Sequence, residues 1–391
     1  MITTPLTAEL VHGAIELEAT NRGLRPHRLP RLVRERYADP QLQMMEAQPS
    51  GVRIAVVTTA RRLTLEVHAT RVAYRGVKRA RGNLDLVVDG KLQTSHTLAE
   101  GDSVELDLRT GTSTFLPGES DHVTVDDLPG GEKTIEIWLP HNEQVDLIAL
   151  HSDAPVRAVT PTGPVWLHHG SSISHGSNAT NPTGIWPVLA AQRGGVRLQN
   201  LGFGGSAVVD PFIARLIRDT PADLISAKLG INVVNLDGMR LRTFVPAVHG
   251  FLDTIRDGHP TTPLLLISPI FCAVHENTPG PGAFDPATLG TDAVQFIATG
   301  QPGDTAQGRL TLRVIRTALQ EIVEARSDDA NLHYLDGQSL YGEADAATYP
   351  LPDGLHPSAE THALIGTRFA DLAFAAGGPF GNRRHSSDGS S

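Results

Sequence analysis

The sequence predicts an all-β sandwich or jelly roll followed by an α/β unit built on a parallel sheet. Three observations predict it. Residues from about 50 to 150 alternate apolar and polar with period two. Beyond about residue 160, short apolar strands alternate with helical stretches. At 391 residues the chain is also long for a single core, which fits two units better than one. The change of pattern puts the boundary near residue 155, giving a β unit with a leading segment over 1–155 and an α/β unit over 156–376. The polar, Gly/Ser-rich stretch 377–391 reads as a disordered tail.

In the first unit, Leu63-Thr64-Leu65-Glu66-Val67-His68, Val104-Glu105-Leu106-Asp107-Leu108 and Thr134-Ile135-Glu136-Ile137-Trp138-Leu139 alternate strictly. Such alternation gives a strand one buried and one wet face, as in antiparallel sandwiches. Asp89-Gly90 and Pro129-Gly130-Gly131 supply turns between strands. Trp138 falls on the face opposite Ile135, Ile137 and Leu139. So large an apolar side chain is costly to leave wet, which favours packing against the second unit over a ligand platform.

In the second unit, strands are expected at 165–169, 196–201, 223–229, 264–268 and 332–335. Helices are expected at 186–193, from Asp210-Pro211 onward, and at 239–256, 310–325 and 363–375, with Pro211 suited to a first helical position. Five strands separated by helices imply a parallel sheet with right-handed crossovers and helices on both faces. Function in such sheets gathers at the carboxyl ends of the strands.

Charge and composition narrow the function. A net charge of −10 argues against general nucleic-acid binding. The densest basic patch, Arg71, Arg75, Lys78, Arg79 and Arg81, reads as a solvated face or an interdomain contact. No apolar run approaches the ~20 residues that cross a bilayer, and Met1-Ile2-Thr3-Thr4-Pro5 lacks the features of a signal peptide, so the expected location is cytoplasmic. The single cysteine, Cys272, rules out an intrachain disulfide and reads as a small buried hydrophobe.

The expected strand ends carry the chemistry. The first is followed by Gly170-Ser171-Ser172-Ile173-Ser174-His175-Gly176, the second by Gly202-Phe203-Gly204-Gly205, the third by Gly230-Ile231-Asn232, and the last by the loop Asp353-Gly354-Leu355-His356-Pro357. A serine is a weak nucleophile until a base takes its proton, and the base needs a partner that fixes its tautomer. Ser172 supplies the nucleophile, His356 the base and Asp353 the orienting carboxylate. The backbone N–H groups of Ser172 and Gly205, with the Asn232 amide, supply donors for a developing oxyanion.

In this order, these four blocks resemble those of the Ser-Gly-Asn-His (SGNH, or GDSL) esterase and lipase superfamily over about residues 160–376. The β-rich segment resembles the sandwich that precedes the catalytic domain in the two-domain, carbohydrate-esterase-like branch. The resemblance implies a flavodoxin-like hydrolase domain and a short-acyl ester substrate, such as acetyl on a sugar or small metabolite, with no metal or organic cofactor. Two positions depart from the family pattern: Ser171 and Val233 stand where the family carries Asp. The same site passing its acyl group to another alcohol would be an acyltransferase, and a dead site would leave a carbohydrate-binding protein.

Other signals read as weaker or structural. Gly202-x-Gly204-x-x-Ala207 imitates a dinucleotide fingerprint, but Asp223 precedes the next strand instead of ending it. His275-Glu276 resembles half a zincin motif without its second histidine. Both residues lie in a Pro/Gly-rich insertion over 271–304 and are candidates for the substrate-pocket wall. His168, His169 and His175 flank the nucleophile in supporting roles, and Trp166 and Trp186 read as core.

Overall fold

The computed structural model describes residues 1–75, 79–107, 110–291 and 293–381. The first unit is a sandwich of an eight-stranded and a six-stranded sheet. Leu63–Tyr74 and Gln144–Ser152 pair antiparallel at the centre of the larger sheet, with an irregularity between Leu147 and Ala149. In the smaller sheet Lys133–Trp138 lies between Arg53–Thr58 and Asn83–Val88. One pair departs from antiparallel order, Asp102–Asp107 running parallel to Leu63–Tyr74. Ile54, Val56, Ile135 and Ile137 meet Leu63, Leu65, Val67 and Leu147 in one apolar core, as period two requires.

Trp138 points the other way. It is buried in a cluster with Ile185, Trp186 and Trp166 of the second unit. The two units therefore share a continuous apolar contact. The basic patch finds partners within the sandwich: Arg75 pairs with Glu105 and Arg81 with Glu143, while Arg71 donates to Ser103. Lys78 and Leu108 lie outside the described residues.

The leading segment is more structured than its sequence suggests. After the strand Leu24–His27 come two short helices, Arg31–Arg36 and Pro40–Glu46. Asp39 caps the second by accepting from Leu42 N at 2.7 Å, and Pro40 opens it.

The second unit is a five-stranded parallel sheet: β1 (Val165–Gly170), β2 (Arg197–Gly202), β3 (Leu224–Lys228), β4 (Leu264–Ile267) and β5 (Leu332–Leu335), in the order β2-β1-β3-β4-β5. Alternate strand residues face opposite layers. Leu167, Ile225, Leu264 and Leu266 pack with the helices Pro211–Asp219, Leu241–Gly258 and Leu312–Glu324. Trp166, Leu224, Leu265 and Ile267 pack with Trp186–Gly194 and Ala359–Phe369. Burial on both faces explains why these strands read as short apolar runs.

Two segments carry more regular structure than their composition suggests. The insertion forms a helix at Ala273–Glu276 and a hairpin of Gly282–Phe284 with Phe296–Ala298, whose Phe284 and Phe296 rings meet at 4.8 Å. The expected tail begins ordered: Phe380 is buried near Phe369 and Phe374, because one aromatic finds an apolar slot that a composition average conceals. Residues 382–391 lie outside the described residues. Among the described residues, no helix is long and apolar enough to cross a membrane.

Candidate active site

Strand β1 ends in a tight turn. Ser171 caps the four-residue helix Ser172–His175, its side chain accepting from Ile173 N at 3.4 Å. Ser171 thus takes over part of the loop support expected from an aspartate. Gly176, at φ 112°, closes the turn where any Cβ would strike Ile185.

The far loop reaches this turn. Ser172 Oγ lies 2.9 Å from His356 Nε2, and His356 Nδ1 lies 2.7 Å from Asp353 Oδ2. Asp353 Oδ1 accepts from the backbone N–H groups of Leu355 at 2.9 Å and His356 at 2.7 Å, while Asn178 Nδ2 reaches Oδ2 at 3.3 Å. Burial pushes the Asp353 carboxyl up, but the His356 imidazole and these backbone donors outweigh it and hold the group below its ordinary value. An ionised carboxylate only accepts, so the imidazole proton belongs on Nδ1. The Nε2 lone pair is then left for the Ser172 hydroxyl.

Gly204 and Gly205 complete the mouth. A Cβ on Gly204 would lie 3.6 Å from Ser172 Cβ and 2.8 Å from Met45 Sδ. Gly205 holds φ +72°, a conformation that favours glycine. Asn232 is buried in the short helix Ile231–Asn235 that follows β3. Its Oδ1 accepts from Ala207 N at 3.0 Å, which fixes the amide plane and leaves Nδ2 with no protein acceptor among the described residues. Val233 fills the apolar core.

Among the described residues, neither His275 nor Glu276 hydrogen-bonds to the triad. His275 is buried with Nδ1 on the Thr278 carbonyl at 3.2 Å, and burial lowers its pKa. Glu276 is held by Arg316 and borders a separate cavity of about 290 Å³ with Phe271, Arg313 and Glu343. The insertion also contacts the Asp353 loop. Phe296 N donates to Asp353 O at 2.9 Å, Cys272 Sγ lies 3.3 Å from Gly354 O, and the Phe296 ring stands edge-on to His356 at 5.4 Å.

The flanking histidines serve the frame. His168 bridges Ser226 and Ser174 at 2.7 Å each, and His169 Nδ1 meets Leu201 O at 2.8 Å. His175 lies against Gln48, His141 and Arg28, all from the first unit. Arg28 is fully buried, and desolvation lowers its pKa to about 9. Arg28, Gln41, Met45 and Asn178 were missed by sequence reasoning, because no local pattern distinguishes them. Among the described residues, no group of three or more His, Cys, Asp or Glu side chains is arranged to hold a metal ion.

Comparison with known proteins agrees with this architecture. Residues 169–364, half of the chain, match the GDSL-like lipase/acylhydrolase family, and residues 10–148 match the SsfX3 N-terminal domain family. The structure of the salicylyl-acyltransferase SsfX3 from a tetracycline biosynthetic pathway is similar at 28% identity, covering 94% of this chain and 95% of that one with a TM-score of 0.76. A family two carbohydrate esterase from Clostridium thermocellum, in complex with cellohexaose, shares the fold at 14% identity, with 82% and 91% covered and a TM-score of 0.54. An acetyl xylan esterase from the rumen bacterium Butyrivibrio proteoclasticus shares it at 12% identity, with 94% and 95% covered and a TM-score of 0.51. Among curated proteins, none matches this chain in sequence. The chain belongs to the GDSL-like lipase/acylhydrolase family.

Proposed function

We propose that this protein is a serine esterase that cleaves a short-chain carboxylic ester through an acyl-Ser172 intermediate. The observation that carries the reading is the unbroken hydrogen-bonded line Ser172–His356–Asp353, at 2.9 and 2.7 Å, beside glycine-rich backbone. His356 Nε2 takes the Ser172 proton as Oγ bonds to the ester carbonyl carbon. The oxyanion that forms is met by the N–H groups of Ser172 and Gly205 and by Asn232 Nδ2. His356 then returns the proton to the departing alkoxide as the C–O bond breaks, leaving the acyl-serine and the free alcohol. Water, deprotonated by His356, attacks the acyl carbon and releases the acid.

A second reading is favoured by one observation: the likeness to an acyltransferase runs through both units of the chain. In that reading an alcohol replaces water in the second half of the reaction and leaves as a new ester. Both readings use one acyl-enzyme, so the partition between acceptors separates them.

The test uses p-nitrophenyl acetate and a serine-directed fluorophosphonate. Wild-type protein is expected to release p-nitrophenol and to take one label on the peptide carrying Ser172, while Ser172→Ala loses about 10³-fold or more in turnover. Labelling at Ser171 or Ser174, or full activity in Ser172→Ala, refutes the assignment. Adding aliphatic or aromatic alcohols and measuring ester against acid then decides between hydrolysis and transfer.

A further inference from the structure

The support of the oxyanion loop comes from outside the catalytic unit. The helix Pro40–Glu46 of the leading segment lies against Gly204 and Gly205. Gln41 Nε2 donates to Gly204 O at 2.9 Å, and the same amide nitrogen would lie 3.2 Å from a Cβ on Gly205. Met45 Sδ presses on the other side, where a Gly204 Cβ would meet it at 2.8 Å.

The carbonyl of Gly204 and the N–H of Gly205 belong to one peptide unit. A donor on the carbonyl therefore fixes the plane in which that N–H points. It also draws electron density toward the oxygen, so the N–H becomes a stronger donor, as in any chain of hydrogen bonds. Gly205 most needs such a hold, because at φ +72° glycine is free to leave a conformation that other residues rarely adopt. Left alone, the peptide could rotate and turn its carbonyl oxygen toward the developing anion.

The helix is itself pinned to the site. The buried Arg28 guanidinium donates to the carbonyls of Gln48 at 2.8 Å, Gly202 at 2.6 Å, Asn200 at 3.2 Å and Met45 at 2.5 Å. It also lies 3.0 Å from His175 Nδ1, and its carbon sits 4.8 Å from the centre of the Phe203 ring. One side chain thus ties the end of the Gln41 helix to the end of β2 and to the nucleophile helix. Its charge is answered mainly by carbonyl dipoles, which demand defined geometry.

We infer that Gln41 is a positioning residue for the reaction: it orients and polarises the Gly204–Gly205 peptide, so that part of the oxyanion hole is supplied by the leading segment through a helix that Arg28 holds in register. The inference rests on the reading of Ser172 and Gly205 given above. It makes the first unit a component of the catalytic machinery.

Gln41 is exposed at its outer side, so its replacement leaves the fold intact. Gln41→Met keeps the bulk and removes the donor. Its kcat on p-nitrophenyl acetate is expected to fall about tenfold with KM unchanged, less than the 10²–10³ that follows loss of an oxyanion donor itself. The affinity for a boronic acid that adds to Ser172 is expected to fall by the same factor as kcat/KM, with the thermal midpoint unmoved. Gln41→Lys restores a donor and is expected to recover most of the loss.

Wild-type kcat in Gln41→Met overturns the inference. So does a loss that lowers thermal stability in parallel, leaves boronate affinity unchanged and is not rescued by Gln41→Lys, because packing alone would account for it. Activity surviving Ser172→Ala removes the underlying site reading as well. An inactive Ser172→Ala beside a fully active Gln41→Met removes only the role of Gln41.

Discussion

Lowering the pH from 7 to 5 is expected to destabilise this protein strongly, because the nucleophile block is framed by histidines that are buried neutral. Burial lowers the imidazole of His141 to about 3, of His169 to about 4 and of His362 to about 4, from an ordinary 6.5. His141 O accepts from His175 Nε2, His169 Nδ1 lies on the Leu201 carbonyl, and His362 joins Trp186 N and Ser177 O. All three therefore hold the ends of β1 and β2 and the turn after Ser172. In the unfolded chain each takes a proton near pH 6.5, while in the folded protein none does until well below pH 5. A depressed histidine pKa contributes its full stability above 6.5 and loses it as the pH falls toward the folded value. At pH 5 these three groups alone imply uptake of roughly 2.7 protons on unfolding, a slope of about 4 kcal/mol per pH unit. Integrated from pH 7 to 5, the loss is roughly 5 kcal/mol, comparable with the whole stability of many domains, about 5–15 kcal/mol. His168 and His175, also pushed well down by burial, add to it. The assay is urea unfolding followed by tryptophan fluorescence at pH 7, 6 and 5, since Trp138, Trp166 and Trp186 are all buried. Potentiometric proton uptake provides an independent count. An unfolding free energy that stays flat between pH 7 and 5, or uptake below one proton at pH 5, refutes the reasoning.

Further outcomes follow from the same geometry. Asn232→Ala should lower kcat by about 10²–10³ with little change in KM, and earlier unfolding at near-wild-type turnover would instead mark Asn232 as structural. Asp353→Asn should lower kcat by up to about 10⁴ by favouring the wrong His356 tautomer, measured at a pH where the fold is intact; a drop of only a few-fold would show that Asp353 does not orient the base. A fragment beginning at Pro155 keeps all four catalytic blocks but loses Arg28, Gln41, Gln48, Ser50 and Trp138. It should be poorly soluble and nearly inactive, whereas a soluble fragment with full activity on small esters would make the first unit a separate module.

Much of the α/β unit is legible along the chain because its signals are local. The strands expected at 332–335 and 264–268 are short runs bounded by turn residues, and the structure places them at Leu332–Leu335 and Leu264–Ile267. Ser172, Gly205, Asn232 and the Asp353/His356 pair are legible for another reason: a parallel sheet gathers the carboxyl ends of its strands, so residues remote in sequence share one edge. Trp138 is legible by parity alone, since Ile135, Ile137 and Leu139, at odd spacing from it, face the other way. What the sequence could not disclose is which unit supports which. Gln41 and Arg28 stand in an irregular stretch without periodicity, and their partners, Gly204 and Gly202, lie more than 160 residues away. His275 and Glu276 illustrate the converse, since their place in an active-face insertion suggested the pocket wall, whereas their partners, Arg316 and the Thr278 carbonyl, emerge only from the structure. Residue type and strand order determine the chemistry available to this protein. Long-range hydrogen bonds that form only when the two units pack decide how the backbone at the end of β2 is held.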